Sequence, residues 1–273
     1  MPAADAVEAF RAQVWQHYHA HRRDMPWRET TDPYAVLVSE VMLQQTQVAR
    51  VMERYPAWLE AFPSLSSLAA APLAAVLERW QGLGYNRRAL ALKRAAEIAV
   101  ERFGGALPCD EAHLRSLPGI GPTTAAAIMD YAFGVPAPFI ETNVRAVFLH
   151  HFFADADGVP DSALMPIVAA SWDRADPRRW GYALMDYGVY LKRAFPNPSR
   201  RSKHHTRQSP FEGSKRQTRA RLLRGVLSDP GGSTDDYAEA LGLEHAEADG
   251  LLAELASEGF LLADGDVWRV SDV

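Results

Sequence analysis

Apolar residues recur at helical spacing along most of the chain. Those between Val7 and His21 lie three or four positions apart, which predicts a first amphipathic helix. A longer apolar run opens at Pro33 and continues to Val51, and we expect one helix there. Further helices are predicted over residues 55–62, 65–70, 73–81 and 87–103. Because proline and glycine lie between these segments and no strand pattern precedes the C-terminal end, the pattern predicts an all-α fold.

A glycine-rich turn joins two predicted helices near the middle of the chain. Gly119 and Gly121 let the backbone turn tightly, and Pro122 suits the first turn of the helix that follows. The exposed N–H groups of such a turn and of a helix N-terminus attract phosphate oxygens. The segment therefore predicts a helix-hairpin-helix that holds a DNA backbone without reading sequence, with contacts from Gly119, Gly121, Thr123 and Thr124. Turns of this kind also join helices in proteins that bind nothing.

Residues 215–273 form a separate predicted module. Helices over 217–227, 234–241 and 244–258, followed by a hairpin of 260–262 with 267–270, are typical of a winged helix. The third helix has no lysine or arginine and carries five acidic residues: Glu244, Glu247, Asp249, Glu254 and Glu258. Since that surface would repel phosphates, we expect the module to pack on the other helices or to bind a protein partner.

Composition indicates an ordinary globular protein. The 273 residues are 48% hydrophobic and 23% charged, enough to bury one or two cores. No run of 18 apolar residues occurs, and the first residues lack the order of a signal peptide. We therefore expect a cytoplasmic protein with no membrane contact. Cys109 is the only cysteine, which allows neither an internal disulfide nor a cluster held by four thiolates.

The formal net charge of -5 hides a segregated distribution. Residues 192–224 hold eleven Lys or Arg and one acid, whereas residues 229–273 hold twelve acids and one Arg. Within the basic stretch, a linker over 201–214 is predicted, and Arg200, Arg201 and Lys203 are candidate phosphate contacts. Basic linkers also serve solubility alone. The neighbouring His204 and His205 lack a carboxylate or thiol at ligand spacing, so no metal site is predicted.

Several polar residues stand where chemistry or base contacts are plausible. Glu40 lies inside the apolar run, where burial would raise the pKa of its carboxyl and let it deliver a proton near neutral pH. From spacing alone, a place on the solvated side of the helix is the commoner outcome. Gln44 and Gln45 follow it and suit base edges, the gap left by a displaced base, or simply a polar helix face. Tyr85 lies in a second glycine-rich joint, where a loop can face a cleft.

Several short motifs in one order carry a family resemblance. They are Pro26-Trp27-Arg28, Pro33-Tyr34, Ser39-Glu40-Val41-Met42-Leu43-Gln44-Gln45-Thr46-Gln47-Val48, Gly82-Leu83-Gly84-Tyr85 and Leu117-Pro118-Gly119-Ile120-Gly121. Over roughly residues 8 to 190 the chain resembles the catalytic domain of MutY-type adenine DNA glycosylases, within the endonuclease III superfamily. The resemblance implies a six-helix barrel over 29–134, a helical lobe of residues 1–28 with 135–200, and double-stranded DNA containing a damaged or mismatched base as partner.

The resemblance also implies candidate roles. The family hydrolyses the N-glycosidic bond of adenine mispaired with 8-oxoguanine or guanine, and Glu40 matches the glutamate that protonates the purine. Glu141 falls where the family has an aspartate that stabilises the sugar cation, and Asn143 matches a family asparagine. The extra methylene of Glu141 displaces the carboxylate by about 1 Å, and displacements of that size can cost about 10²-fold in rate. Glu141 is alternatively the N-cap of a helix that begins at Thr142.

Three further comparisons with the family and its superfamily sharpen the expected activity. Thr123 stands where the bifunctional lyases of the superfamily carry a lysine, so we expect a monofunctional glycosylase. Lys192 aligns with the first of four family cysteines that hold an iron–sulfur cluster, and we expect no cluster and no other cofactor. Residues 215–273 also replace the family's domain that recognises 8-oxoguanine. The alternatives are a glycosylase for uracil, thymine or hypoxanthine, or a DNA-structure binder without catalysis.

Overall fold

The structure is a computed structural model that describes residues 2–206 and 210–272. Its helices in the first 140 residues are α1 (Ala4–His21), α2 (Pro33–Leu43), α3 (Val48–Ala61), α4 (Leu65–Ala70), α5 (Leu73–Trp80), α6 (Arg87–Phe103), α7 (Glu111–Arg115) and α8 (Pro122–Tyr131). They are followed by α9 (Thr142–Phe152), α10 (Asp161–Ser171), α11 (Pro177–Ala194), α12 (Lys215–Ser228), α13 (Thr234–Leu241) and α14 (His245–Ser257). Two strands, β1 (Leu261–Asp264) and β2 (Val267–Val270), complete the described part of the chain.

The predicted all-α fold is confirmed, and the chain forms two compact units. The first unit comprises Met1–Glu40 and Leu107–Arg207, and the second comprises Val41–Ala106 and Gln208–Val273. Residues 29–40 and 107–134, which the sequence analysis placed with the barrel, therefore lie in the first unit. The predicted linker over 201–214 includes residues 207–209, which lie outside the described residues.

Close packing of α8 on α11 explains why α8 belongs to the first unit. Trp172 donates a hydrogen bond from Nε1 to Oδ1 of Asp130 over 2.9 Å, and the rings of Tyr131 and Tyr182 stack at 4.3 Å. A Cβ on Gly181 would lie 2.6 Å from Cε1 of Tyr131, so only glycine allows this approach. These contacts tie the helix after the hairpin to the second half of the unit.

An aromatic core holds the other helices of the first unit together. Phe10 of α1 contacts Phe148 of α9 at 5.2 Å and Trp180 of α11 at 6.2 Å between ring centroids. All three side chains are buried. Burial of each large apolar side chain stabilises the fold by roughly 1.5–3 kcal/mol, so this cluster holds α1, α9 and α11 together.

The prediction of one helix from Pro33 to Val51 is wrong in one respect, because the helix is broken at residues 44–47. Gln45 adopts a left-handed backbone with φ 55°, which a continuing helix does not allow. Arg88 of α6 donates from Nη1 to the carbonyls of Val41, Met42 and Gln44 at 2.6–3.0 Å. These bonds satisfy carbonyls that the helix end leaves open, so the break is stabilised by a residue 44 positions from Gln44.

The C-terminal residues of the second unit form three helices and a short hairpin. Strands β1 and β2 pair antiparallel, with Leu261 opposite Val270. Glu254 of α14 pairs with Lys215 and Arg219 of α12 at 2.6 and 2.7 Å. Outside the module, Glu258 at the end of α14 pairs with Arg87 of α6 in the same unit. Binding of a protein partner and the assignment as a winged helix stay predictions. None of the helices in the described ranges has the length and apolarity needed to span a lipid bilayer.

Candidate active site

Glu40 lies one turn before the end of α2, in the first unit. The six residues before it, from Tyr34 to Ser39, are all buried, whereas Glu40 keeps part of its surface exposed. Burial raises the pKa of Glu40 to about 8, and the charge of Glu141 adds to the rise. The structure therefore supports the buried interpretation of Glu40 over a solvated helix face. At neutral pH the carboxyl is protonated and can donate a proton.

Glu141 is the N-cap of α9. Its Oε1 accepts hydrogen bonds from the backbone N–H groups of Asn143 at 2.5 Å and Val144 at 2.8 Å. Burial raises the pKa of Glu141, and these two backbone bonds oppose the rise. The N-cap interpretation is therefore confirmed. It does not exclude a chemical role, because a carboxylate at a helix N-terminus is stabilised in its charged form.

Asn143 completes this part of the site. Its Nδ2 donates to Oε2 of Glu141 over 3.1 Å, so both carboxyl oxygens are held. Its Oδ1 is buried and has no hydrogen-bond partner among the described residues. A Cβ on Gly188 of α11 would lie 2.7 Å from Cβ of Asn143, so α11 passes directly against this amide. An acceptor oriented in this way and lacking a partner suits a water molecule or a substrate group.

Two cations influence the Glu141 carboxyl. Both Lys192 and Arg145 lower its pKa, after the larger effects of burial and backbone bonds. Arg145 also forms a two-bond pair with Asp161 at 2.7 and 2.8 Å, which offsets its charge. Lys192 lies one helical turn after Gly188, on the face of α11 that meets the start of α9. Sequence reasoning had given Lys192 no role at this carboxyl, and the i, i+4 spacing from Gly188 was the available signal.

Two buried phenols also belong to this region. Tyr131 has a pKa raised well above its ordinary value, by burial and then by the charge of Glu40. Its hydroxyl has no hydrogen-bond partner among the described residues. Tyr182 stacks on it, and the guanidinium of Arg28 lies 4.6 Å from the Tyr182 ring centroid. Both phenols therefore stay neutral, and both are close enough to Glu40 for its charge to raise their pKa values. Neither residue was identified from the sequence, since each occupies an ordinary apolar helix position.

The hairpin residues take positions that fit phosphate contacts in part. Gly119 has φ 78°, Gly121 is the N-cap of α8, and Thr123 is exposed. Thr124 is buried, with 8% of its surface exposed. Its side chain therefore faces the core, and only its backbone remains available for the predicted contact.

The segment after α11 contains the remaining predicted DNA contacts of the first unit. Arg200 and Lys203 are exposed. Arg201 instead donates to the backbone carbonyls of Leu149 and Ala154, and so it fastens this segment to the end of α9. Val159 pairs with Ser202 in an isolated parallel bridge. Arg201 thus has a structural task that its position in a basic run did not reveal.

The segment after α11 does not fit an iron–sulfur cluster. Such a cluster needs four thiolates, and the chain has one cysteine, Cys109, which is exposed. Within residues 2–206 and 210–272, no three His, Cys, Asp or Glu side chains come together as a metal site. The segment is held by backbone and arginine hydrogen bonds instead.

Gln44, Gln45 and Tyr85 lie in the second unit and are described within it. Gln45 and Tyr85 are exposed, and both have left-handed backbones, with φ 55° and 50°. Gln44 is half-buried, and its carbonyl accepts from Arg88 over 2.6 Å. Their predicted contacts with bases stay predictions.

Comparison with known proteins places the chain in a family. Residues 38–165 match the HhH-GPD superfamily of base excision DNA repair proteins. An adenine DNA glycosylase of Mycobacterium tuberculosis is 34% identical over 233 residues, covering 76% of this chain and 74% of that protein. The chain belongs to the HhH-GPD superfamily. This membership confirms the resemblance that the short motifs indicated.

Other relatives of this HhH-GPD protein differ in their named substrates. The human adenine DNA glycosylase is 38% identical over 197 residues, which cover 67% of this chain and 36% of that protein. A thymine/uracil-DNA glycosylase of Pyrobaculum aerophilum is 39% identical over 140 residues, covering 50% of this chain and 61% of that protein. The solved structure of a thermostable thymine-DNA glycosylase aligns with a TM-score of 0.61 and 25% identity, covering 68% of this chain and 87% of that one. In the first three adenine glycosylases that it matches, the chain spans 36–53% of their length.

Proposed function

We propose that the protein is a monofunctional DNA glycosylase of base excision repair that removes adenine mispaired with 8-oxoguanine or guanine. The observation that carries the proposal is the presence in one unit of two carboxyls with different surroundings: burial raises the pKa of Glu40 to about 8, and backbone N–H groups hold Glu141 at the start of α9. The most extensive similarities support adenine as the base, since the relatives from M. tuberculosis and human are named adenine DNA glycosylases. A cytoplasmic, nucleoid-associated location and contact with damaged or mismatched double-stranded DNA belong to the same proposal.

Glu40 is the proposed general acid. When the N-glycosidic bond breaks, its electron pair moves to the base, and a proton must reach a ring nitrogen. A carboxyl with a pKa of about 8 holds that proton at neutral pH and has a strength suited to giving it up. Burial and the charge of Glu141 together maintain this state.

Glu141 is the proposed electrostatic partner on the sugar side. The sugar gains positive charge as the base leaves, and a fixed carboxylate stabilises that charge. Both oxygens of Glu141 accept hydrogen bonds, so its position is set before the substrate arrives. A water molecule then adds to the sugar carbon and loses a proton, and the unpartnered Oδ1 of Asn143 is suited to orient that water. The longer side chain of Glu141 is accommodated by its N-cap role.

The absence of an amine at position 123 supports a monofunctional reaction. Thr123 is exposed at the first turn of α8, and a hydroxyl forms no Schiff base with the sugar. Strand cleavage at the resulting abasic site should therefore require added alkali.

A second candidate substrate is thymine or uracil opposite guanine. Two observations favour it: the similarity to a thymine/uracil-DNA glycosylase, and the glutamate at position 141 in place of the aspartate that the resemblance implies. Stabilisation of the sugar's positive charge is the same for both substrates. The two candidates therefore differ in the base that Glu40 protonates.

Single-turnover base release from a panel of duplexes tests these proposals. The panel contains adenine opposite 8-oxoguanine, adenine opposite guanine, uracil opposite guanine, thymine opposite guanine and hypoxanthine opposite thymine, each with and without alkali. Adenine release that needs alkali for strand scission is the expected result. Faster release of thymine or uracil would transfer the assignment to the second candidate. Binding without release from any duplex would contradict a glycosylase and favour a DNA-structure binder.

A further inference from the structure

The second unit contains a cleft that the proposed reaction does not use. It has a volume of about 1040 Å³ and lies between the glycine-rich turn at residues 81–86 and the helix α12. Its lining combines residues from both parts of the unit, with Arg50, Tyr85 and Phe211 among them. Small-molecule sites usually occupy roughly 300–1,000 Å³, so the size favours an extended ligand.

The cleft carries an excess of positive charge. Of its acidic lining residues, Glu254 and Glu258 are already paired, with Lys215, Arg219 and Arg87. Four further arginines line the cleft, with Glu53 as the remaining acid: Arg50, Arg54, Arg216 and Arg224. Such a surface attracts a polyanion, and guanidinium groups are well matched to phosphate oxygens.

Exposed aromatic surface accompanies this charge. Phe211 has 53% of its surface exposed, the largest value among the exposed hydrophobic residues of the described chain. A phenylalanine ring offers a face on which any nucleobase can stack, whereas it has nothing to offer a phosphate alone. Aromatic and cationic side chains lining one groove are typical of sites for single-stranded nucleic acid.

A strained residue forms one wall of the cleft. Tyr85 has φ 50°, a backbone angle that residues other than glycine rarely adopt. Arg216 donates from Nη1 to the Tyr85 hydroxyl over 2.7 Å, and its guanidinium lies 5.7 Å from the ring centroid. Strain of this kind persists where the surrounding structure holds it. Here α12 contributes to holding the loop conformation, which ties the C-terminal residues to this wall.

We propose that this cleft binds an unpaired stretch of DNA strand, with a base stacked on Phe211 and phosphates facing Arg50, Arg54 and Arg224. The inference rests on the proposed function, since a glycosylase that turns a base out of a duplex creates unpaired strand. It gives the basic helix α12 a DNA contact. The acidic helix α14 leaves this contact possible because Glu254 and Glu258 are neutralised by their partners.

Fluorescence anisotropy with a labelled 15-nucleotide thymidine strand tests the cleft directly. In the full chain, Arg224→Glu should weaken binding by about tenfold at low salt, and less at higher salt. Arg221→Glu is the matched control: Arg221 is an exposed arginine on the same helix that does not line the cleft, and its variant should stay within about twofold of wild type. Phe211→Ala should weaken binding by about tenfold, whereas Phe211→Tyr should retain it.

The same variants are assayed for base release, which separates this inference from the proposed function. If wild type releases a base but Arg224→Glu and Arg221→Glu bind the strand equally well, the cleft does not bind DNA and the glycosylase assignment stands. If no duplex loses a base while Arg224→Glu and Phe211→Ala lower strand binding selectively, the cleft is supported and the glycosylase assignment fails. Displacement of the strand by thymidine monophosphate at equal affinity would overturn the extended-strand ligand in favour of a nucleotide pocket.

Discussion

Glu40 and Glu141 are chemically identical side chains in one unit, yet their surroundings act on their carboxyls in different ways. Glu40 is packed among apolar residues, and burial raises its pKa to about 8. Glu141 is also buried, but two backbone N–H groups and the Asn143 amide stabilise its charge. Burial raises both pKa values, and at Glu141 the backbone N–H groups oppose that rise. Burial alone does not decide the role of a carboxyl; the donors that reach it do.

The largest expected effect is the loss of the proton donor. Glu40→Gln keeps the shape of the side chain and removes its acidity, so single-turnover base release should fall by about 10²- to 10⁴-fold. Affinity for the duplex should be retained, as measured by anisotropy. In the wild type, release should decline as pH rises through about 8, because Glu40 then loses its proton. Unchanged release by Glu40→Gln would remove Glu40 from the mechanism.

The same substitution has a consequence for stability with a definite sign. The pKa of Glu40 is higher in the folded chain than in the unfolded chain, so the proton is bound more tightly when folded. The stabilisation that Glu40 contributes is fully present at pH values below its pKa in the unfolded chain. It is lost as the pH rises through about 8, the pKa of Glu40 in the folded chain. The melting temperature of Glu40→Gln should therefore rise relative to that of the wild type between pH 5 and pH 9. A constant difference between the two melting temperatures would contradict the burial of this carboxyl.

Substitution at Glu141 should affect activity through the lost charge and stability through the cap of α9. Glu141→Gln retains an oxygen that can accept the backbone bonds, and should lower release by about 10²- to 10³-fold through the lost charge. Glu141→Ala also loses the cap of α9, at a cost of about 0.5–2 kcal/mol in the free energy of unfolding. Chemical denaturation compares the two variants. Equal free energies of unfolding for Glu141→Gln and Glu141→Ala would show that the cap of α9 contributes nothing to stability.

These contrasts define what the sequence could and could not predict. The helical pattern, the hairpin at Gly119 and Gly121 and the candidate Glu40 followed from spacing and motifs. The break at Gln45 could not, because it depends on Arg88, a residue distant in sequence that donates to the carbonyls at the end of α2. The backbone hydrogen bonds of Arg201 could not be predicted for a related reason: a basic run does not reveal which guanidinium finds backbone acceptors.

The close approach of α11 to α9 can be tested through two helical glycines. Gly188→Ala places a Cβ 2.7 Å from Cβ of Asn143, so the helices must separate and the amide that holds Glu141 must shift. We expect a loss of about 1–3 kcal/mol in unfolding free energy and about tenfold in release. Gly250→Ala in α14 is the control, since nothing lies within 4 Å of its added Cβ and alanine suits a helix better. Equal effects of the two substitutions would contradict the packing argument.

The smallest expected effect concerns the cation that favours the charge on Glu141. Lys192 lowers the pKa of Glu141, so Lys192→Gln should raise it and move the low-pH limb of the release profile to higher pH. Lys192→Arg keeps the charge and should leave that limb in place. At neutral pH the rate should change by only a few fold, because the backbone bonds to Glu141 remain. A shift of the high-pH limb instead would mean that Lys192 acts on Glu40, and the division of tasks between the two carboxyls would have to be redrawn.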